Sequence, residues 1–131
     1  MAAPSDKTLG KPVSASRDQE MPTESSGWIL SGFDSNGMAV RLNLSEMDLR
    51  AVPEGLVVGR SARSAKLILK DDSVSRAHAR IALGDRLTVE DLNSSNGTRV
   101  KGRRLEAGEM IPIAQGAAIE IGAVRLTLTR S

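Results

Sequence analysis

"AHARIALGDRLTVEDL", residues 77–92, is the stretch that decides the fold. Apolar and polar residues alternate on both sides of the dipeptide Gly-Asp, and a period of two is typical of a half-buried β-strand. Gly-Asp between two such runs indicates a turn. In the first run, alternation places Ala77, Ala79 and Ile81 on one face. His78 and Arg80 lie on the other face. The stretch therefore predicts a strand, a turn and a second strand.

Short runs of strand character recur on both sides of this hairpin, from Trp28 to the end of the chain. They are "GWILSGF", "MAVRLNL", "LVVGR", "KLILK", "TRV", "RRLE", "MIPIA", "AAIEIG" and "VRLTLTR". "NLSEMDLRAV" (43–52) allows only a helical turn before Pro53. About eleven short strands without a longer amphipathic helix predict an all-β protein, a β-sandwich of about eleven strands.

The composition excludes several classes of site. Aromatic residues make up 2% of the 131 residues, so the core must consist of Leu, Ile, Val and Ala. Cysteine is absent and histidine occurs once, which excludes disulfides, cysteine nucleophiles and thiolate or histidine-rich metal sites. No cofactor is expected. No run approaches the roughly 18 apolar residues of a membrane span. The expectation is a cytoplasmic protein that does not associate with membranes.

Residues 1–26 differ from the rest of the chain. They are rich in Ser, Pro, Lys, Glu and Ala and show no hydrophobic period. Such a composition is typical of a flexible tail. The predicted organisation is therefore a tail over 1–26 and one domain over 27–131.

Basic charge is concentrated in the middle of the chain. The net charge is +2, but 59–104 holds eleven Lys or Arg against five Asp or Glu. Such a segment indicates either an anionic partner or simply a solvated basic surface.

Three polar clusters, "VVGR", "SVSRAHA" and "DLNSSNGT", lie at predicted strand ends. Loops at one end of a sandwich meet in space, so the clusters can form one site. The planar guanidinium groups of Arg60 and Arg76 suit phosphate oxygens. Neutral hydrogen-bond donors are supplied by Ser75, Ser94, Ser95 and Asn96. Each residue alone has a plainer role, such as a surface ion pair for Arg60.

His78 is the single histidine and admits two interpretations. It is either an internal hydrogen-bond partner or the base of a Ser-His-Asp hydrolase with Ser75 or Ser95 and Asp71 or Asp91. No "GxSxG" elbow occurs, and a catalytic triad is recognised in space, which a spacing of three residues does not establish. The sequence therefore favours a protein that is not an enzyme.

Together the residues resemble a known family. "GR" (59–60), "SVSRAHA" (73–79) and "VEDLNSSNGTRVKGRRL" (89–105) occur in the order and at the spacing of the forkhead-associated (FHA) domain. The resemblance covers about 27–131. It implies a β-sandwich of about eleven strands that binds phosphothreonine peptides and catalyses nothing. The implied partner is a phosphothreonine-containing protein, with a functional link to a Ser/Thr kinase.

The resemblance also implies roles for single residues. Arg60 would be the principal phosphate arginine, and Ser75 would bond the phosphate through its hydroxyl and backbone amide. Arg76 would add a phosphate or peptide contact. Ser95 would lie beside the γ-methyl group of the phosphothreonine, and Asn96 would hold the peptide main chain.

Further positions would support the site or tune it. Gly59, His78 and Gly97 would be architectural. Lys101 replaces the usual Asn of a "vNG" element, but it lies at a turn and leaves the binding residues unaffected. Selectivity would depend on peptide residues after the phosphothreonine. Candidate contacts for them are Ser73, Arg99 and 114–117.

Two other functions remain as alternatives. One is a scaffold of the same fold that binds no phosphate. The other is nucleic-acid binding through the basic segment, which lacks both the stacking aromatics of single-strand binders and a helix for a duplex groove. Thr8 and Thr23 add a separate hypothesis. If a kinase phosphorylated one of them, the tail could occupy the site of its own domain.

Overall fold

The computed structural model describes residues 26–131. The predicted flexible tail, with Thr8 and Thr23, lies outside the described residues except for Ser26. The described part forms a β-sandwich of eleven strands in two sheets, with one short helix. The predicted fold class is therefore confirmed.

The strands fall where the sequence pattern predicts them. They are β1 (Gly27–Phe33), β2 (Ala39–Ser45), β3 (Leu56–Gly59), β4 (Leu67–Ile68), β5 (Ala79–Leu83), β6 (Leu87–Asp91), β7 (Thr98–Val100), β8 (Arg103–Arg104), β9 (Met110–Pro112), β10 (Ala118–Ile121) and β11 (Val124–Arg130). The hairpin predicted within residues 77–92 is β5–β6, with Ile81 opposite Val89.

The helix α1 (Glu46–Ala51) follows β2 directly. The side chain of Ser45 caps it by accepting a hydrogen bond from the amide of Asp48 at 3.0 Å, because the first amides of a helix have no partner within the helix. Leu49 is fully buried. Glu46 and Arg50 form an ion pair on its surface. Among residues 26–131, no helix has the length and apolar character that crossing a bilayer requires.

The two sheets divide the strands unequally. One has the order β2-β1-β11-β10-β7-β8 and the other β4-β3-β5-β6-β9. The chain crosses between the sheets four times: at α1, in the loop 92–97 that joins β6 to β7, between β8 and β9, and between β9 and β10. That second crossing places the loop at the end of the sandwich where 60–66 and 69–78 also lie.

The core between the sheets is aliphatic, as the composition requires. Buried leucine, isoleucine and valine side chains alternate with more exposed residues along the strands. Burying each of them stabilises the fold by about 1.5–3 kcal/mol. Its fully enclosed members include Leu30, Val58, Ile81, Val89, Ile119, Ile121 and Leu128.

At the start of β5, the predicted alternation explains the burial of three of the four positions 78–81. Ala79 and Ile81 are buried in the core, and Arg80 on the other face is partly exposed. His78 precedes the strand and is completely buried, because the 92–97 loop covers it and the carbonyl of Gly97 contacts its ring.

The first and last described strands are neighbours. β1 pairs with β11, and Trp28 lies opposite Arg130, whose guanidinium carbon is 4.5 Å from the ring centroid. The amide of Ser131 donates to the carbonyl of Gly27 at 3.1 Å. β11 begins at the turn 122–123 and runs away from it, so this pair of residues lies one strand length from that turn.

Candidate functional site

Three loops form a groove of about 390 Å³ at one end of the sandwich. Its lining comes from the loop after β3, from the loop before β5 and from the β6–β7 loop. The lining residues are Arg60, Asp72, Ser73, Val74, Ser75, Arg76, Ala77, Ser95 and Asn96. All five residues predicted to bind phosphopeptide are among them.

Arg60 is the first residue after β3. Its amide donates to the carbonyl of Ser75 and its Nε to the carbonyl of Val74, both at 2.9 Å. These bonds fix the plane of the guanidinium group. The two terminal nitrogens of Arg60 donate to no acceptor within residues 26–131, so they can donate to a ligand in the groove.

Gly59 lets the two loops approach each other. A Cβ at this position would lie 1.9 Å from the carbonyl oxygen of Arg76, far inside van der Waals contact. The backbone conformation of Gly59 is open to any residue, so the close approach alone explains the glycine. This contact agrees with the architectural role predicted for it.

Ser75 connects the groove to the β6–β7 loop. Its Oγ accepts a hydrogen bond from the amide of Ser95 at 3.1 Å, so the hydroxyl proton is free to be donated. Its backbone amide donates to Nδ1 of His78 at 3.0 Å. Of the two donors predicted to meet a phosphate, only the hydroxyl is free in this arrangement.

Asn96 is held in place by Ser73. Its Nδ2 donates to the carbonyl of Ser73 at 2.8 Å, which leaves the side-chain oxygen and the second N–H for a ligand. Arg76 and Ser95 are exposed, and their side chains have no hydrogen-bond partner in the part of the chain that the structure describes. The groove is thus rich in unoccupied donors.

His78 lies beneath the groove and braces two loops. Nε2 is 2.9 Å from the carbonyl of Gly97, and a carbonyl can only accept, so Nε2 carries the proton and Nδ1 accepts from Ser75. This pairing fixes the neutral tautomer. Burial lowers the pKa of His78 below its ordinary value, although the Gly97 bond and the charge of Asp91 oppose this. Both ring nitrogens are hydrogen-bonded to backbone groups, so within residues 26–131 the imidazole forms no hydrogen bond with a serine hydroxyl or a carboxylate.

Asp91 holds the β6–β7 loop from the inside. Oδ1 accepts from Ser94 Oγ at 2.6 Å and from Thr98 Oγ1 at 2.7 Å, and Oδ2 accepts from the Ser94 amide at 3.0 Å. Ser94 Oγ in turn accepts from the Gly97 amide. Burial by itself raises the pKa of Asp91, but these hydrogen bonds and the nearby His78 outweigh it and lower that pKa.

Ser94 therefore differs from its predicted role. The sequence predicts a free donor for a ligand at this position, but the amide and hydroxyl of Ser94 are both engaged and the residue is buried. Gly97 adopts a left-handed φ of 86°, which glycine reaches without strain. This turn links two sheets, whereas the Asn-Gly signal alone is most typical of a hairpin.

Asp71 anchors the other side of the groove. Oδ1 accepts from the amide and hydroxyl of Ser73, and Oδ2 accepts from the amide and hydroxyl of Ser35 in the β1–β2 turn. Burial alone raises the pKa of Asp71, but the four bonds outweigh this and hold that pKa well below its usual range.

Sequence reasoning considered Asp71 and Asp91 only as catalytic partners. Their spacing to serine, Asp-x-Ser and Asp-x-x-Ser, is the local signal for a loop anchor.

The family profile described as "FHA domain" matches residues 56–122. This match covers half of the chain, including the groove loops. The chain belongs to the FHA domain family. The predicted resemblance is confirmed.

Relatives of this FHA domain agree with the assignment. The FHA domain-containing protein FhaB of Mycobacterium tuberculosis is 34% identical over 89 residues. That alignment covers 67% of this chain and 51% of FhaB, so the chain spans about half the length of this relative.

Solved structures share the fold. The FHA domain of CT664 from Chlamydia trachomatis is 25% identical with a TM-score of 0.63, over 79% of this chain and 97% of that one. An FHA domain from a study of phosphothreonine-dependent interactions is 26% identical with a TM-score of 0.58, over 79% and 95%.

Proposed function

We propose that this FHA domain binds phosphothreonine-containing segments of a partner protein in the groove beside Arg60. The observation that carries the proposal is the convergence of the free guanidinium nitrogens of Arg60, the hydroxyl of Ser75 and the exposed Arg76 on one groove. A phosphomonoester carries about −1.5 to −2 charges and three acceptor oxygens. Two arginines and a hydroxyl match both the charge and the number of acceptors.

The remaining groove residues suit the peptide rather than the phosphate. Asn96 has a side-chain oxygen and an N–H to spare, which can pair with one peptide main-chain unit. Ser95 lies beside Ser75 and is exposed, a position that suits contact with the γ-methyl group of phosphothreonine. Recognition of a phosphorylated motif by arginines is a recurrent mode of peptide binding that FHA domains use. The phosphothreonine-dependent interactions of the related FHA domain support the same assignment.

We also propose that the domain acts as an interaction module and not as an enzyme. The groups that a hydrolase would need, His78 and Asp91, are buried and bonded to loop backbone and neighbouring hydroxyls. The proposed partner is a protein phosphorylated by a Ser/Thr kinase. Residues 27–131 are the proposed binding unit.

An oriented phosphothreonine peptide library, followed by titration of the selected peptide, tests the proposal. Arg60→Ala should weaken binding by roughly 30-fold or more, because truncating one member of a close charge pair costs about 2–5 kcal/mol. Arg63→Ala removes an exposed arginine of the same loop that does not line the groove, and it should change affinity less than about two-fold.

Three outcomes decide the assignment. Equal affinities of wild type and Arg60→Ala would contradict the role of Arg60. Matched phosphoserine and phosphothreonine peptides that bind equally would contradict a methyl contact. A library that selects no phosphopeptide would reject the function and favour the scaffold alternative.

A further inference from the structure

A second groove of about 420 Å³ adjoins the first. Ser73 and Asn96 line both grooves, so the two are continuous. The other lining residues are Arg99, Glu120, Gly122, Ala123 and Arg125. A peptide held in the first groove can therefore enter the second without crossing a ridge of other residues.

The charges of the second groove lie in one row across three strands. Glu120 in β10 is directly opposite Arg99 in β7 and Arg125 in β11. Side chains in such positions stand on the same face, with Cβ atoms about 5 Å apart. Within residues 26–131, neither arginine forms an ion pair with Glu120 within 4 Å. The three charged side chains that line the groove therefore have a net charge of +1, with two guanidinium groups that lack a carboxylate partner. Arg104 in β8, opposite Arg99, continues the row outside the groove lining.

We propose that the second groove binds an acidic side chain of the same peptide whose phosphothreonine occupies the first groove. This inference rests on the proposed function. One Asp or Glu carboxylate would neutralise the row and could bridge Arg99 and Arg125. A phosphate of about −1.5 to −2 charges would exceed the net positive charge of the groove lining and would face Glu120. The groove is thus suited to a carboxylate rather than to a second phosphorylated residue.

Contacts between Ser73 and the turn after β10 fix the geometry where the two grooves meet. The Ala123 amide donates to Ser73 Oγ at 2.8 Å, and a Cβ on Gly122 would lie 2.5 Å from the Ser73 carbonyl oxygen. Gly122 also has a left-handed φ of 59°. Because these contacts tie the turn after β10 to the loop that carries Ser73, the spacing between the phosphate and carboxylate subsites should be constant. An extended peptide advances about 3.3 Å per residue, so a constant spacing should select an acidic residue at only one or two positions relative to the phosphothreonine.

A peptide walk tests the proposal. One Glu is moved from four residues before to four residues after the phosphothreonine in an otherwise neutral peptide, with Gln at the same position as the reference. We expect a gain of roughly two- to ten-fold at one or two positions on one side only, as one or two exposed ion pairs contribute. The gain should shrink in high salt, because exposed charges are screened.

Variants assign the gain to residues. Arg99→Gln and Arg125→Gln should each reduce the Glu-over-Gln ratio towards one while leaving affinity for the neutral phosphothreonine peptide nearly unchanged. Arg41→Gln is the matched control: it removes an exposed arginine of the same sheet that does not line this groove, and the ratio should stay as in wild type. Glu120→Gln should raise affinity for a peptide with a second phosphate at the favoured position.

The outcomes separate this inference from the function beneath it. A neutral phosphothreonine peptide that binds, with no gain from Glu at any position, overturns the acidic subsite alone. A gain that survives both arginine substitutions also overturns it. A second phosphate that outcompetes Glu in the wild-type protein would show that the groove takes a phosphorylated residue instead. Failure of every phosphothreonine peptide to bind overturns the function and this inference together.

Discussion

The groove and the layer beneath it contrast in how their polar groups are used. We call the proposed binding surface the rim; its members are Arg60, Ser75, Arg76, Ser95 and Asn96. We call the buried layer the brace; its members are Asp71, His78, Asp91, Ser94 and Thr98. The rim is exposed or partly exposed and keeps donors unoccupied. The brace is buried and the side chains of all its members are bonded.

This difference teaches that the residues proposed to bind the ligand and the residues that hold the fold are different members of the same loops. A buried polar group that loses its partner costs about 1–3 kcal/mol, whereas an exposed one can bond water. Rim substitutions should therefore reduce binding while the free energy of unfolding stays the same. Brace substitutions should lower that free energy and displace the rim as a consequence. The following experiments test this separation in order of expected effect.

Asp91→Ala should give the largest effect. It leaves the Ser94 amide, the Ser94 hydroxyl and the Thr98 hydroxyl without their acceptor, so unfolding should become easier by about 3 kcal/mol or more. Chemical denaturation measures this. Asp85→Ala in the exposed β5–β6 turn is the matched control and should shift the unfolding free energy by less than about 0.5 kcal/mol. Similar shifts in the two variants would mean that the brace does not stabilise the fold.

Gly59→Ala should have the next largest effect. The new methyl group would overlap the Arg76 carbonyl and force the loops on either side of the groove apart, at a cost of about 1–3 kcal/mol. Phosphopeptide affinity should fall together with stability, because Arg60 and Arg76 are both displaced. Gly84→Ala is the control: that glycine has an ordinary φ, and a methyl group at its Cα would have no neighbouring atom within 4 Å. A Gly59→Ala protein as stable as Gly84→Ala would remove the steric argument.

Lowering the pH through the titration of His78 should give the smallest change in the free energy of unfolding. The pKa of His78 is lowered from 6.5 in the fold, so the unfolded chain takes up a proton first as the pH falls. Stability contributed by neutral His78 is complete above about pH 6.5 and is lost progressively below it. Asp71 and Asp91 have pKa values lowered from 3.8, so their contribution is retained until the pH falls below that value.

Denaturation at pH 7.5 and at pH 5.0 isolates the histidine. Because the chain has one histidine, ¹⁵N NMR can follow its titration directly and identify the Nε2–H tautomer. A folded-state pKa at or above 6.5, or a proton on Nδ1 at neutral pH, would contradict the bracing geometry.

Local sequence patterns predicted the strands well. Alternation and turn residues depend on neighbours in the chain, so the β5–β6 hairpin, the count of eleven strands and the short α1 could all be read from the sequence. The assignment of strands to sheets could not, because it depends on contacts between distant residues. β1 pairs with β11 across almost the whole described chain.

The rim was easier to predict than the brace. Arg60, Ser75 and Asn96 belong to family motifs whose combination is specific, and the structure brings them to one groove. The brace depends on burial, which no single residue reveals. Ser94 and Ser95 are adjacent and chemically identical, yet only Ser95 faces the groove. Ser94 faces inwards because its amide and its hydroxyl both donate hydrogen bonds to the carboxylate of Asp91.

The pairing of Gly27 with Ser131 has a practical consequence for assay design. These residues are hydrogen-bonded neighbours at the far end of β11, about 20 Å from the groove at 3.4 Å per residue. A fluorophore or a surface tether attached at Ser131 would therefore leave the groove accessible. A domain labelled there could serve as the recognition half of a fluorescent reporter of threonine phosphorylation.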